Sequence, residues 1–115
     1  MFEFDVATQA KVPMAHSHDG YEESIYGLEG VLTFTVDGKR IELGPGDVLC
    51  IPRGAIHRFD NFGSAVTKML AILTPGILGP HFFREMAAVM NGASGPPDPS
   101  AIATIMRRHG LTPAP

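Results

Sequence analysis

The alternation of apolar and polar positions predicts a chain built mainly from short β-strands. In the segment 31–36, Leu32, Phe34 and Val36 fall on one face, which is the period of two that is typical of a strand. Patterns of this kind predict strands over residues 22–28, 31–36, 39–43, 48–51, 57–61 and 66–73. Short strands that recur about every ten residues predict a β-sandwich or a small barrel.

Turn residues separate these predicted strands. Asp37 and Gly38 indicate a tight hairpin, and the segment 44–47 contains the glycine and proline of a second turn. The apolar segment 48–51 is expected to be a buried strand, with Cys50 as a small buried residue. Cys50 is the only cysteine, so the sequence excludes a disulfide within the chain.

The pattern changes from strand to helix after residue 75. Pro80 suits the first turn of a helix that would end near Asn91 and Gly92. Asp98 is a good N-cap for a second helix, which Gly110 can terminate. We therefore expect a β-barrel body over residues 1–75 and a helical tail over residues 76–115 that packs on the barrel or on a second subunit.

Size and charge exclude several classes of function. A chain of 115 residues suits one domain with a single core. Its net charge of −3 does not predict the basic surface that would attract nucleic acid. No apolar run approaches the ~20 residues that span a bilayer. Residues 1–5 lack the basic and apolar regions of a signal peptide. We therefore expect a cytoplasmic protein with no nucleic-acid and no membrane partner.

Four side chains are candidate ligands for one metal ion. His16 and His18 lie two residues apart, so on a strand their imidazoles point to the same face. Glu23 can reach the same point from the next strand, and His57 belongs to a separate block. Neighbouring Glu22 is the alternative carboxylate, but it should face the other way. Three imidazoles and one carboxylate suit one divalent transition metal, and the ligands alone do not choose among Fe, Mn, Ni, Cu, Co and Zn.

The two blocks that hold these ligands resemble the two motifs of the cupin superfamily. The first motif, G(X)5HXH(X)3-4E(X)6G, matches in its ligands and its last glycine, while Ala10 stands where the family has its leading glycine. The second, G(X)5PXG(X)2H(X)3N, is matched in full. The matching positions are His16, His18, Glu23 and Gly30 in segment 16–30, and Gly46, Pro52, Gly54, His57 and Asn61 in segment 46–61.

This resemblance, which covers about residues 10–75, implies a fold and a chemistry. It implies an all-β, jelly-roll-like cupin barrel with a ligand cavity inside and a short C-terminal helical extension. The tail resembles the extension of small quercetin-dioxygenase-like cupins. That likeness implies a catalytic role for Glu23, which would leave the metal and take a proton from the substrate.

The positions that flank the ligands predict the walls of the substrate pocket. Residues two away from a ligand on one strand face the same cavity. They are Met14, Ile25 and Phe59, with Met69 or Leu73 from the last strand. Polar candidates for its mouth are Tyr21, Tyr26 and Arg53. A mostly apolar lining predicts a small ligand with an apolar or aromatic body and a chelating oxygen end.

Three functions remain open from the sequence. The first is a mononuclear metal-dependent dioxygenase-like oxidoreductase that acts on a small organic molecule. The second is non-oxidative metal catalysis by an isomerase, a lyase or a cyclase, and the third is a non-catalytic module that binds a small metabolite. The apolar helical tail also predicts a homodimer.

Overall fold

Two antiparallel sheets make up the body of the protein. The computed structural model describes residues 1–10 and 14–115, and nine strands and two helices lie in these ranges. In chain order they are β1 (Phe2–Val6), β2 (His16–His18), β3 (Glu22–Glu29), β4 (Leu32–Val36), β5 (Lys39–Leu43), β6 (Val48–Ile51), β7 (His57–Asp60), β8 (Thr67–Thr74), α1 (Pro80–Gly92), α2 (Pro99–Arg108) and β9 (Leu111–Pro113). One sheet has the order β1-β8-β3-β6, and the other has the order β5-β4-β7-β2-β9.

The strands and helices expected from the sequence are present within a residue or two of their predicted ends. The two sheets face each other and are consistent with a jelly-roll-like cupin fold. The expectation of a barrel needs correction, however, because the described strands are hydrogen-bonded as two separate sheets that do not close on each other. Strands β1 and β9 were not predicted, and each lies at the edge of a sheet.

The prediction that segment 48–51 is buried is also wrong. Strand β6 lies at the edge of the first sheet, where Ile51 is buried while Val48 and Cys50 are exposed. The segment is apolar on both faces, so its composition did not reveal that one face is open to solvent. Cys50 lies on that open face, next to Ser24 of β3.

Two glycine positions show why the local sequence permits this fold. At the β4–β5 hairpin, Asp37 and Gly38 both have positive φ angles, of 47° and 82°, as a tight two-residue turn requires. In β3, a Cβ added to Gly27 would lie 2.0 Å from the carbonyl oxygen of Gly44. The Gly27 amide also donates to the Asp47 carbonyl oxygen at 2.9 Å. The turn 44–47 therefore packs directly on the backbone of β3, as only a glycine there allows.

The apolar residues form two clusters that meet near the histidines. The inter-sheet cluster lies between the two sheets and contains Val6, Ile25, Leu32, Phe34, Leu43, Ile51, Ala55, Met69 and Ala71. The helix-side cluster joins the body to both helices and contains Tyr21, Leu73, Phe82, Met86, Ile102, Ile105, Met106 and Leu111. Burial of such side chains contributes about 1.5–3 kcal/mol each, so the helices are firmly attached.

The tail ends by returning to the second sheet. Strand β9 pairs with β2 over three residues, with Leu111 opposite His18 and Pro113 opposite His16. On its other side, β2 pairs with β7 only at His16 and His57. The histidine-bearing strand is therefore held mainly by the end of the tail. Neither helix in the described ranges has the length and hydropathy needed to cross a membrane.

Candidate metal centre

Two neighbouring strands bring three histidines together. His16 and His18 project from the same face of β2, and His57 of β7 lies directly opposite His16. The His57 ring centroid is 4.6 Å from those of both His16 and His18. One ring nitrogen from each histidine lies within 4.8 Å of the other two, and all three side chains are buried. One ion could therefore contact all three imidazoles.

Backbone carbonyls orient two of these rings. The Nδ1–H of His16 donates to the Met14 carbonyl oxygen at 2.8 Å, and that of His57 donates to the Ala55 carbonyl oxygen at 2.9 Å. A carbonyl oxygen only accepts, so both Nδ1 atoms carry the proton and both Nε2 atoms keep a lone pair. This arrangement is common among metal-binding histidines, whose second ring nitrogen donates to a carbonyl or carboxylate.

The His18 ring is held differently. Its buried Nδ1 has no hydrogen-bond partner among the described residues. Instead the ring stacks on Tyr21, with a centroid distance of 4.6 Å and an interplanar angle of 26°. Tyr21 is completely buried, and its hydroxyl group also lacks a partner in the described part of the chain.

Glu23 approaches the histidines from the opposite sheet. On β3 it lies opposite Ile51 on one side and Leu73 on the other. Its Oε1 atom is 3.7 Å from Nε2 of His57, and only 14% of its side chain is exposed. Glu22 instead turns outwards, where its Oε1 accepts from Nε of Arg53 at 3.1 Å. Glu23 is therefore the carboxylate that shares the space with the histidines.

Burial shifts the pKa values of all four groups towards their neutral forms. It lowers the pKa of His16 to about 4 and that of His18 to about 3. Burial also lowers the pKa of His57, and it raises the pKa of Glu23 to about 7. At neutral pH the three imidazoles are consequently uncharged, which is the form that binds a metal.

A cavity of about 290 Å³ opens in front of these groups. Its wall is almost entirely apolar and includes six of the seven phenylalanines of the chain. The lining comprises Phe2, Phe4, Asp5, Val6, Ala10, His16, His18, Glu23, Ile25, Phe34, His57, Phe59, Leu78, Phe82, Phe83 and Leu111. Apart from Asp5, the three histidines and Glu23 are therefore the polar groups of an otherwise aromatic and aliphatic wall.

The structure places the expected pocket residues in two groups. Ile25 and Phe59 line the cavity, whereas Met14, Met69 and Leu73 are not among the described residues of its wall. Strand β2 begins only at His16, so the alternation along a strand does not extend to Met14, which borders a separate groove. Met69 pairs with Gly27, two residues beyond Ile25, and lies in the inter-sheet cluster instead.

The three polar candidates for the mouth are placed elsewhere. Tyr21 is buried behind His18, and Arg53 contacts Glu22 on the surface. Tyr26 is 40% exposed, on the outer face of β3. In the described ranges, none of the three is part of the cavity wall.

Sequence reasoning missed most of the aromatic wall. Phe2 and Phe4 belong to β1, and their alternation with Glu3 and Asp5 is a period-two signal that could have revealed both the strand and its inward face. Phe82 and Leu111 come from the tail, and no local pattern connects them to the histidines.

The donor set fits a divalent transition metal. Three neutral imidazoles, two of them oriented by backbone carbonyls, with a carboxyl group beside them, match the N/O ligands that such ions prefer. Nε2 of His16 and of His57 carries an available lone pair. The residues present can therefore hold one ion with no further protein group.

Comparisons with known proteins agree with this arrangement. Residues 2–73 match the family model of the cupin domain. Quercetin 2,3-dioxygenase of Bacillus subtilis (strain 168) is 38% identical over 87 residues, which are 76% of this chain and 25% of that protein.

Solved structures of other proteins are also similar to this chain. A sugar phosphate isomerase from a cupin superfamily, from Silicibacter pomeroyi, is 26% identical with a TM-score of 0.57, over 62% of this chain and 46% of that one. The polyketide cyclase RemF from Streptomyces resistomycificus is 30% identical with a TM-score of 0.54, over 62% and 49% of the two chains. The chain thus spans from a quarter to about half the length of these relatives. It belongs to the cupin domain family.

Proposed function

We propose that this protein is a metal-dependent, dioxygenase-like oxidoreductase that acts on a small, chelating and largely apolar substrate. The observation that carries the proposal is the position of three neutral imidazoles and Glu23 in the wall of an aromatic cavity. A substrate bound there would meet the metal ligands at one end and phenylalanine rings elsewhere. The similarity to quercetin 2,3-dioxygenase supports the reaction class.

His16, His18, His57 and Glu23 would hold the metal. When bound, a redox-active divalent ion would bring a chelating substrate and dioxygen together. In the metal-free site, burial raises the pKa of Glu23 to about 7. A carboxyl group that leaves the metal in such surroundings can accept a proton from the substrate. Glu23 is therefore the candidate catalytic base for a substrate hydroxyl group.

The cavity wall selects against charged substrates. Among the described residues that line it, there is no lysine or arginine, and the charged group outside the metal centre is Asp5. Outside the metal centre a phosphate group would find no cationic partner in this wall. A sugar would leave most of its hydroxyl groups unpaired, which costs about 1–3 kcal/mol for each buried group. An aromatic substrate instead gains contacts with the six phenylalanine rings.

The same aromatic wall also favours a second function, a non-oxidative cyclase that acts on aromatic polyketides. The similarity to the polyketide cyclase RemF supports this alternative. The two functions differ in their need for oxygen. A dioxygenase consumes O₂ in proportion to substrate, whereas a cyclase turns over equally well without it.

The test combines metal analysis with oxygen uptake. The protein would be expressed without added metal, analysed for bound elements, and assayed with quercetin in an oxygen electrode. We expect about one iron, manganese, nickel, copper or cobalt per chain and O₂ consumption that depends on substrate. His57→Ala should lose both. His81→Ala, which removes an exposed histidine of α1, should retain both.

Three other outcomes would count against the dioxygenase proposal. Zinc alone, with turnover of polyketide-like aromatic substrates in the absence of oxygen, would favour the cyclase. Metal that is bound equally well by the His57→Ala variant would contradict the proposed ligand set. A wild-type protein that cannot be loaded with metal would refute the enzyme hypothesis and leave a small-molecule binding module.

The homodimer, the cytoplasmic location and the division at residue 75 remain predictions. Phe83 of α1 and Ile77 before it are exposed apolar residues on the tail that a second subunit could cover. Light scattering at micromolar concentration should give twice the 12.3 kDa mass of the chain. A monomer mass would refute the dimer.

A further inference from the structure

The three histidines of the metal centre differ in what fixes their rings. His16 and His57 each donate a proton from Nδ1 to a backbone carbonyl oxygen, at 2.8 and 2.9 Å. Those bonds set the plane of each ring and aim its Nε2 atom. His18 lacks such a bond, because its buried Nδ1 has no partner among the described residues. Something else must set the plane of the His18 imidazole if it is to bind metal in a defined geometry.

The neighbour that can do so is Tyr21. The two rings are nearly parallel, at an interplanar angle of 26° and a centroid distance of 4.6 Å. His18 also meets His57 edge to face, at an interplanar angle of 82° and a centroid distance of 4.6 Å. The imidazole therefore contacts an aromatic face and a histidine edge, and these contacts restrict its rotation.

Tyr21 is itself held firmly. It is completely buried and belongs to the helix-side cluster, together with Phe82, Ile105 and Leu111 of the tail. Its hydroxyl group has no hydrogen-bond partner in the described ranges, so that group contributes no bond that would explain a tyrosine here. The part of Tyr21 that contacts His18 is the ring.

We propose that Tyr21 is a positioning residue for the metal centre: its ring fixes the plane of the His18 imidazole, as backbone carbonyls fix those of His16 and His57. The proposal rests on the metal centre proposed above. It also assigns a purpose to the tail, which lies outside the matched segment 2–73 and supplies much of the packing around Tyr21.

Cobalt(II) provides the test, because its visible absorption bands report the geometry of its ligands and its binding can be titrated. Chelator-treated wild type, Tyr21→Phe and Tyr21→Leu would be compared. Phenylalanine keeps the stacking ring and leucine does not. We expect Tyr21→Leu to bind Co²⁺ about 10–100-fold more weakly with altered absorption bands, and Tyr21→Phe to match the wild type in both.

Two control variants separate positioning from general loss of stability. Met86→Ala truncates a buried residue of the same cluster on α1, so it should lower the melting temperature without changing the cobalt spectrum. Tyr26→Leu replaces the other tyrosine, which is 40% exposed. It should change neither the melting temperature nor the cobalt spectrum. A Met86→Ala variant that loses cobalt as strongly as Tyr21→Leu would overturn the specific role of Tyr21.

A measurement on the folded wild type covers the case in which Tyr21→Leu does not fold. A ring stacked on Tyr21 should place the carbon-bound protons of His18 upfield of those of solvent-exposed His81 in NMR spectra, and Tyr21→Phe should preserve that shift. Unshifted His18 protons would overturn the proposal, as would equal cobalt binding by wild type and Tyr21→Leu. A wild type that binds no cobalt would instead refute the metal centre, and this proposal with it.

Discussion

Replacing Glu23 with glutamine should stabilise the metal-free protein at high pH. Burial raises the pKa of Glu23 from 4.5 to about 7. The folded protein therefore keeps this proton between those pH values while the unfolded chain releases it, so stability falls as the pH rises through this window. At about 1.4 kcal/mol per pKa unit, the loss is about 3 kcal/mol once Glu23 is ionised. Glutamine keeps a neutral side chain of the same size at every pH.

The assay is urea unfolding of chelator-treated wild type and Glu23→Gln at several pH values from 4.5 to 8.5. The stability of the variant relative to the wild type should rise by about 3 kcal/mol across this range. His16 and His18 are present in both proteins, so their titration largely cancels in the difference. His57 lies 3.7 Å from Glu23, so its protonation responds to the substitution and forms part of the measured difference. Glu22→Gln is the matched control, because Glu22 is the neighbouring residue on β3, is 43% exposed and does not line the cavity.

Bound metal should instead make the wild type more stable than Glu23→Gln. An ion bound by ionised Glu23 stabilises the wild type, while the variant lacks that carboxylate ligand. A metal-free difference that stays within about 0.5 kcal/mol over the whole pH range would refute the reasoning. It would mean that water reaches Glu23 freely, and that this carboxyl group is not tuned to accept a proton near neutral pH.

The other predictions concern stability. Gly27→Ala places a Cβ 2.0 Å from the Gly44 carbonyl oxygen, so it should lower the free energy of unfolding by at least about 1–3 kcal/mol and lower the melting temperature. Gly79→Ala is the control, because a Cβ there meets open space and should be tolerated. Asp98→Ala removes the acceptor for the Ser100 amide at 3.0 Å and should cost about 1 kcal/mol in urea unfolding. Chelation should lower the melting temperature, since metal at 100 times its dissociation constant contributes about 2.7 kcal/mol.

Much of the fold follows from local patterns in the sequence. The Asp37-Gly38 turn and the N-cap at Asp98 were identifiable because each depends on residues within one turn. The placement of His16, His18 and His57 near one another was predictable as well, because it rests on strand alternation and on motif spacing. Their assignment as metal ligands remains a proposal.

What the sequence did not reveal depends on contacts between distant segments. Strand β9 has three residues, one of them a proline, and it exists because β2 offers it an edge. Met69 obeys the alternation of β8, but the register with Gly27 places it beyond the cavity. Cys50 was expected to be buried, and nothing local marks β6 as an edge strand.

The packing of β1 and β9 also has a practical consequence for how this protein is handled. Phe2 and Leu111 come from opposite ends of the chain, yet both line the cavity, and the Ala114 amide donates to the Ala15 carbonyl oxygen beside the histidine strand at 2.8 Å. An affinity tag fused at either end would therefore emerge close to the candidate ligands. A polyhistidine tag would compete for the same ions, so metal stoichiometry is best measured after the tag has been cleaved.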